Sequence, residues 1–299
     1  METRKFGKTD MQVSVLGFGG SEIRGSSVDD VRRLLESAFD AGLNVIDTGE
    51  CYDDSEELIG RAVSTRRSDY YLFTKCGHNR GEELPDLPDW NPKLLEASID
   101  RSLRRLRTDH LDLVELHSCS LDVLRNGDVI PVLEKAKRMG KTRYIGYSGT
   151  NENARYAIHT GAFDVLQTSL SIADQQNIDF TLPAAIERNM AIIAKRPIAN
   201  FAWGTPNITK EAYGYQYWER LQKLDYDFLK GSPETAVATA LRFTLSIPGV
   251  HTAIVGTANS DRYTENAAYI APGNLSDEEY QTIRARWEER ADQHWLGLD

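Results

Sequence analysis

Long apolar runs are absent from this chain. No stretch of its 299 residues approaches the ~18 consecutive apolar residues of a membrane-spanning helix. The N-terminal Met-Glu-Thr-Arg-Lys-Phe-Gly has no apolar signal core either, so the expected location is cytoplasmic. Cysteine is scarce. Cys51, Cys76 and Cys119 make an odd set of three with no Cys-x-x-Cys pair, which excludes a disulfide framework and fits a reducing compartment. Positive charge is in deficit: 35 Lys and Arg stand against 45 Asp and Glu, for a formal charge of −10. Such a surface argues against nonspecific nucleic-acid binding and against adhesion to anionic membranes. Low-complexity tracts and linker-like shifts in composition are missing too. Residues 1–299 are therefore expected to form one domain, as α/β barrels of ~250 residues do.

What the chain does have is a rhythm. Eight short, strongly apolar runs recur: Val15–Phe18, Val45–Asp47, Tyr71–Lys75, Leu111–Leu116, Thr142–Ser148, Val165–Ser169, Ala191–Lys195 and Thr252–Val255. They rarely alternate with polar residues, as expected of parallel strands covered by helices. Helical patterns lie between them. Val31, Leu34, Leu35 and Ala38 share a face, and Ser27 with Asp30 resembles a capping box. Asn91-Pro92 and Ser232-Pro233 each supply an N-cap followed by an N1 proline. Ser276 with Glu279 opens a last, charged helix.

Repeated β-α alternation has two main solutions, a doubly wound sheet or a closed barrel. A dinucleotide-binding sheet should carry Gly-x-Gly-x-x-Gly after its first strand; here Gly17-Phe-Gly19-Gly20-Ser-Glu lacks the third glycine. The expected fold is thus an α/β (β/α)8 TIM barrel, with a short N-terminal hairpin turning at Gly7–Asp10 and a C-terminal helix. Barrel chemistry sits at the C-terminal ends of the strands. Asp47, Tyr52, Lys75 and His117 fall there, on three neighbouring strands. Asp47 can pair with Lys75. A nearby ammonium favours a phenolate, so Lys75 is expected to lower the pKa of Tyr52. Tyr52 can then protonate an oxygen that gains charge, with His117 hydrogen-bonded to the same oxygen. That set suits carbonyl reduction, and the hydride must come from a cofactor.

The constellation resembles the aldo-keto reductase superfamily over nearly the whole chain. Gly42-Leu-Asn-Val-Ile-Asp47-Thr, with Tyr52 and Glu56-Glu-Leu-Ile-Gly60, resembles the first family signature. Phe73-Thr-Lys75 is similar to the lysine strand, and Leu111-Asp-Leu-Val-Glu-Leu-His117 to the histidine block. Arg143-Tyr-Ile-Gly146-Tyr-Ser148 and Ile254-Val-Gly256 through Asn266 resemble the fifth-strand and C-terminal cofactor motifs. The resemblance implies that Tyr52 is the general acid, Lys75 and Asp47 its tuning pair and His117 the orienting group. Ser148 and Gln167 would hold the nicotinamide carboxamide, Glu265 and Asn266 the adenine, and Arg262 the 2′-phosphate of NADP. Lys195, Arg196, Gly256 and Thr257 are expected to line the cofactor as well.

The chain departs from the pattern in three places. Gly149 stands where asparagine is frequent, Lys195-Arg196 where a stacking aromatic is frequent, and Gly256 where a lysine is common. The last leaves NAD open beside NADP. The implied activity is NAD(P)-dependent, reversible reduction of a small aldehyde or ketone by a monomer or oligomer. Alternatives are a sugar or polyol dehydrogenase using the same residues in reverse, and a non-catalytic cofactor-binding regulatory subunit. Tyr71 with Lys75 also fits a Tyr-x-x-x-Lys spacing, but both lie on one strand and the glycine-rich loop that should accompany it is missing. No metal is expected. The cysteines lie beyond strand ends, where Lys75 could make a thiol reactive; three small buried side chains is the plainer reading. The aromatic stretch Asn200–Lys230 reads either as a flap over the cofactor or as an extra helix over Glu211–Lys223.

Overall fold

The computed structural model describes residues 1–81 and 84–299. The chain opens with a hairpin of β1 (Thr3–Lys5) and β2 (Gln12–Ser14), paired antiparallel with Arg4 opposite Val13. Eight parallel strands follow: β3 (Leu16–Gly19), β4 (Val45–Asp47), β5 (Tyr71–Cys76), β6 (Leu111–His117), β7 (Thr142–Ser148), β8 (Val165–Ser169), β9 (Ala191–Lys195) and β10 (Thr252–Gly256). β10 bonds to both β9 and β3, which closes the barrel and leaves no strand edge. The expected strands thus form within a residue of the expected bounds, and the (β/α)8 reading holds.

The barrel interior changes character along its axis. Side chains two apart on a strand share a face. Val45, Phe73, Leu113, Val165, Ala191, Ile193 and Ile254 fill the lower layer. Two residues on, the same faces carry Asp47, Lys75, Glu115, Gln167, Lys195 and Gly256, with His117 one step higher on β6. The hairpin stoppers the apolar end. Phe6, Met11 and Val13 are buried against that lower layer, and the Phe6 ring stacks on Phe73 at 5.7 Å. Gly7 makes the fit possible. It sits at φ +52°, and a methyl group there would lie 2.5 Å from the Ala191 nitrogen. The hairpin thereby closes this end of the barrel.

The helices form an outer shell around a second apolar core. Their caps follow from the sequence at Asn91, Ser232 and Ser276, whose side chains accept from Lys93, Thr235 and Glu279 amides, respectively. The Ser276–Glu279 box is reciprocal. The Ser27–Asp30 box is not. Ser27 accepts from the Asp30 amide, but the Asp30 carboxylate takes the Ser27 hydroxyl and pairs with Arg33 instead of reaching the Ser27 amide. Aspartate is one methylene shorter than the glutamate that completes the motif.

The aromatic stretch after β9 resolves into short 3-10 turns over Ala199–Gly204 and a helix over Tyr215–Leu224, which starts four residues later than expected. Tyr217, Leu221 and Leu224 pack inward, whereas Tyr213 stays exposed. Arg196, Ala199, Asn200 and Phe201 all hold positive φ, a concentration of strain typical of functional loops. Among the described residues, no helix is long and apolar enough to cross a membrane.

Candidate active site

Lys75 and Asp47 are each about 1% exposed on neighbouring strands. The ammonium donates to Asp47 Oδ2 at 2.5 Å and to the Thr48 carbonyl at 2.7 Å. Burial is the largest single effect on Lys75 and would lower its pKa, but the Asp47 carboxylate, Tyr52 and Glu115 together outweigh it and hold the ammonium above its ordinary value. Asp47 Oδ1 accepts from the Gln167 amide at 2.9 Å, and Gln167 accepts from the Ser148 hydroxyl at 3.1 Å. Ser148, Gln167, Asp47 and Lys75 thus form one buried chain of bonds across β7, β8, β4 and β5.

Tyr52 rides on the turn after β4, with its ring against Gly49 and 5.2 Å from Lys75 Nζ. The His117 ring stands edge-on to it at 5.7 Å. The expected lowering of the Tyr52 pKa does not hold. Burial pushes the phenol up to about 12, and the opposing pull of Lys75 is smaller. The phenol is therefore protonated at neutral pH. Burial, reinforced by Lys75, holds the His117 imidazole well below its ordinary 6.5, so it is neutral.

The turn that carries Tyr52 is pinned by a residue that sequence reasoning missed. Glu50 is buried, accepts from the Gly77 and His78 amides at 2.6 and 3.0 Å, and pairs with Arg101 at 2.7 Å. It ties the loops after β4 and β5 together. Gly77, at φ +142°, leaves room for the Trp90 indole, which a methyl group there would strike. Trp90 in turn packs edge-on against His78 at 5.1 Å, and His78 sits 5.3 Å from His117.

Glu115 was also missed, although its spacing two residues before His117 puts both on the inner face. Both of its carboxylate oxygens are buried without a hydrogen-bond partner. Burial raises its pKa to about 8, against partial relief from Lys75. A carboxyl with a raised pKa carries no ionisation penalty below the unfolded value near 4.5, and that penalty grows until the pH passes about 8. Glu115→Gln is therefore expected to gain stability over the wild type by on the order of 2 kcal/mol between pH 5 and pH 7. Urea denaturation at both pH values measures this. A pH-independent difference would contradict it.

The expected cofactor residues divide into two groups. Lys195 and Arg196 are held by the chain's own last residues. Lys195 pairs with Asp299 at 3.0 Å, and Arg196 donates to the Leu298 carbonyl at 2.8 Å. Ser169 and Arg220 bind the same tail through the Leu298 and Leu296 carbonyls. No local sequence signal points to these long-range bonds. On the β10 side, Arg262 is half exposed and pairs with Glu265 at 2.9 Å. Asn266 is buried, with Oδ1 lacking a partner. Thr257 caps the turn by accepting from the Asn259 amide at 3.0 Å. Gly256 lies beside Glu22, whose Cγ would stand 2.8 Å from a methyl group there. Gly149 has a comparable reason, because the Tyr147 ring occupies the space of its side chain.

The cysteines do not form reactive thiolates. Burial raises Cys51 to about 11 and Cys119 to about 12, and Cys76 also rises; at Cys51 the pull of Lys75 is outweighed. Among the described residues, no three His, Cys, Asp or Glu groups are placed to hold a metal ion. Tyr71 accepts a hydrogen bond from the Gln12 amide at the hairpin end, away from the mouth.

The model of the Aldo/keto reductase family matches residues 15–288. The chain belongs to this family. Aldo-keto reductases are oxidoreductases of small carbonyl and alcohol compounds, and the chain is an enzyme of this class. Its relatives include an uncharacterized oxidoreductase, YqkF, of Bacillus subtilis, 25% identical, with 95% of this chain and 96% of that one covered. The L-galactose dehydrogenase of Arabidopsis thaliana is 28% identical, with 90% and 88% covered. Among solved structures, the holo form of the aldo-keto reductase AKR11C1 from Bacillus halodurans superposes with a TM-score of 0.85 at 26% identity over 99% of both chains.

Proposed function

We propose that this aldo-keto reductase reversibly reduces an aldehyde or ketone with a nicotinamide cofactor, preferring NADP and tolerating NAD. The observation that carries the reading is the Lys75–Asp47 pair buried beside the Tyr52 phenol and the neutral His117 ring. The chemistry a nicotinamide nucleotide supplies when bound is hydride. The donor set at the mouth suits such a nucleotide. Beyond their bonds to each other and to Asp47, Ser148 keeps a hydroxyl lone pair and Gln167 a second amide hydrogen; Asn266 has a buried oxygen without a partner, and the half-exposed Arg262 guanidinium, paired on one side with Glu265, has further donors for a phosphate. Lys195 and Arg196 are committed to the tail, and we assign them to its anchoring rather than to the cofactor.

Tyr52 donates its proton to the carbonyl oxygen as charge develops there. His117 donates a hydrogen bond to the same oxygen and sets the substrate's orientation. Lys75, fixed by Asp47, stabilises the phenolate left on Tyr52. In the reverse direction the phenolate must form before the alcohol can lose its proton. The Arabidopsis relative named for L-galactose oxidation supports sugar oxidation as the second reading.

Two expectations test this. Because His117 is neutral and Tyr52 stays protonated, the reduction rate is expected to show no histidine break near 6.5, while alcohol oxidation rises steadily toward alkaline pH. Parallel pH profiles in the two directions would contradict the assignment of the acid. Fluorescence titration with NADPH and NADH tests the cofactor. NADPH is expected to bind the wild type more tightly, and Arg262→Ala is expected to cost NADPH about tenfold while sparing NADH. Equal affinities in the wild type would remove the phosphate grip, and binding of neither would remove the reductase reading. We further read residues 1–299 as one functional unit, acting as a monomer in a cytoplasmic setting.

A further inference from the structure

Cys51 has a place in the site that its chemistry as a reactive thiol does not explain. Its Sγ lies 3.2 Å from His117 Nδ1. Apart from the amide of Cys51 itself, which also reaches Sγ, no other group among the described residues bonds to either atom. The residues on either side of the contact are tied down by hydrogen bonds. Tyr52, the next residue, bonds back to the Gly49 carbonyl at 3.0 Å, and the neighbouring Glu50 is locked to the Gly77 and His78 amides and to Arg101. His117 itself is set at the end of β6 by ladder pairing with Ser148. Cys51 is half-buried, whereas Cys76 and Cys119 are fully buried.

We propose that Cys51 is a positioning residue that fixes the tautomer of His117: its thiol donates to Nδ1, which leaves the hydrogen on Nε2 for the substrate oxygen. The inference rests on the reading of His117 as the group that orients the substrate. A neutral imidazole carries one ring hydrogen, and its partner decides which nitrogen holds it. With the hydrogen on Nδ1, Nε2 would present a lone pair to an oxygen that is gaining negative charge. The thiol can prevent that, because it has a hydrogen to give and is a poor acceptor. The charge states agree with this. Burial keeps the thiol protonated and the imidazole neutral, so no ion pair forms between them. No proton changes hands between the two residues during turnover. The thiol orients; Tyr52 carries the acid chemistry.

The test compares wild type, Cys51→Ala and Cys51→Ser in two readouts. One is independent of activity: long-range nitrogen–proton NMR of protein labelled with ¹⁵N-histidine, with His117 assigned by its absence in His117→Asn. The wild type is expected to show a pyridine-type Nδ1 and a protonated Nε2. Cys51→Ala should shift toward a mixture, and Cys51→Ser, which keeps a donor, should return toward the wild-type pattern. The second readout is turnover of p-nitrobenzaldehyde with NADPH. Cys51→Ala should lower kcat about tenfold with NADPH affinity unchanged, and Cys51→Ser should recover to within about threefold of wild type. A protonated Nδ1 in the wild type, or a tautomer unmoved in Cys51→Ala, would overturn the proposal. So would equal losses of kcat in the two variants. If the wild type binds no NADPH or turns over no carbonyl, the reductase reading fails, and the NMR result still decides the tautomer.

Discussion

Tyr52→Phe is expected to lower carbonyl turnover by at least about a thousandfold while leaving cofactor affinity unchanged. The phenol keeps its proton at neutral pH and stands between Lys75 and the His117 ring. Its neighbours do not replace it. His117 is neutral and gives a hydrogen bond rather than a proton, and Lys75 is committed to Asp47 and the Thr48 carbonyl. Removing one oxygen leaves the ring packed on Gly49 and leaves no new buried charge, so the fold should be unaffected. Steady-state kinetics beside a cofactor titration separates the two effects. A variant that keeps a tenth of wild-type turnover would take Tyr52 out of its role.

Asp47→Asn is expected to act on stability as well as on rate. Lys75 is fully enclosed, and its charge is compensated chiefly by Asp47. Losing one partner of a buried pair costs about 3–5 kcal/mol, because the other charge is left uncompensated. The asparagine amide would also point a donor at a donor. Urea denaturation measures the loss, and a turnover drop of roughly a hundredfold should accompany it. Combining Asp47→Asn with Lys75→Met removes both charges, and most of the stability should return while activity does not. If the double variant stayed as unstable as the single one, the cost would lie in packing rather than in the unpaired ammonium.

The eight strands were legible because parallel strands buried on both faces read as dense apolar runs, and because caps such as Asn91-Pro92 and Ser276–Glu279 are local chemistry. Asp47, Lys75 and His117, three of the four residues proposed to be catalytic, were legible because strand ends place them together, and Tyr52 because it follows β4 closely on a turn tied back to the loop after β5. Other features depend on distance along the chain. Nothing around Lys195 announces a bond to Asp299, and nothing around Cys51 announces the nitrogen of His117. Glu115 is a different case. Its spacing from His117 puts it inside the barrel, but a carboxylate within the apolar run Leu111–Leu116 carries no local signal of burial without a partner. The Tyr52 pKa was misjudged for a quantitative reason: the pull of Lys75 was correct in sign, but enclosure by the surrounding side chains is the larger effect.

The central claim is that hydride and proton meet at one carbonyl beside Tyr52. Single-turnover transfer from NADPH carrying deuterium at nicotinamide C4, with p-nitrobenzaldehyde and a panel of aldoses and ketones as acceptors, tests it most directly. The account predicts deuterium on the carbonyl carbon of at least one acceptor with the wild type, and none with Tyr52→Phe although that variant still binds NADPH. Transfer by both proteins at equal rates, or by neither with cofactor bound, would contradict it.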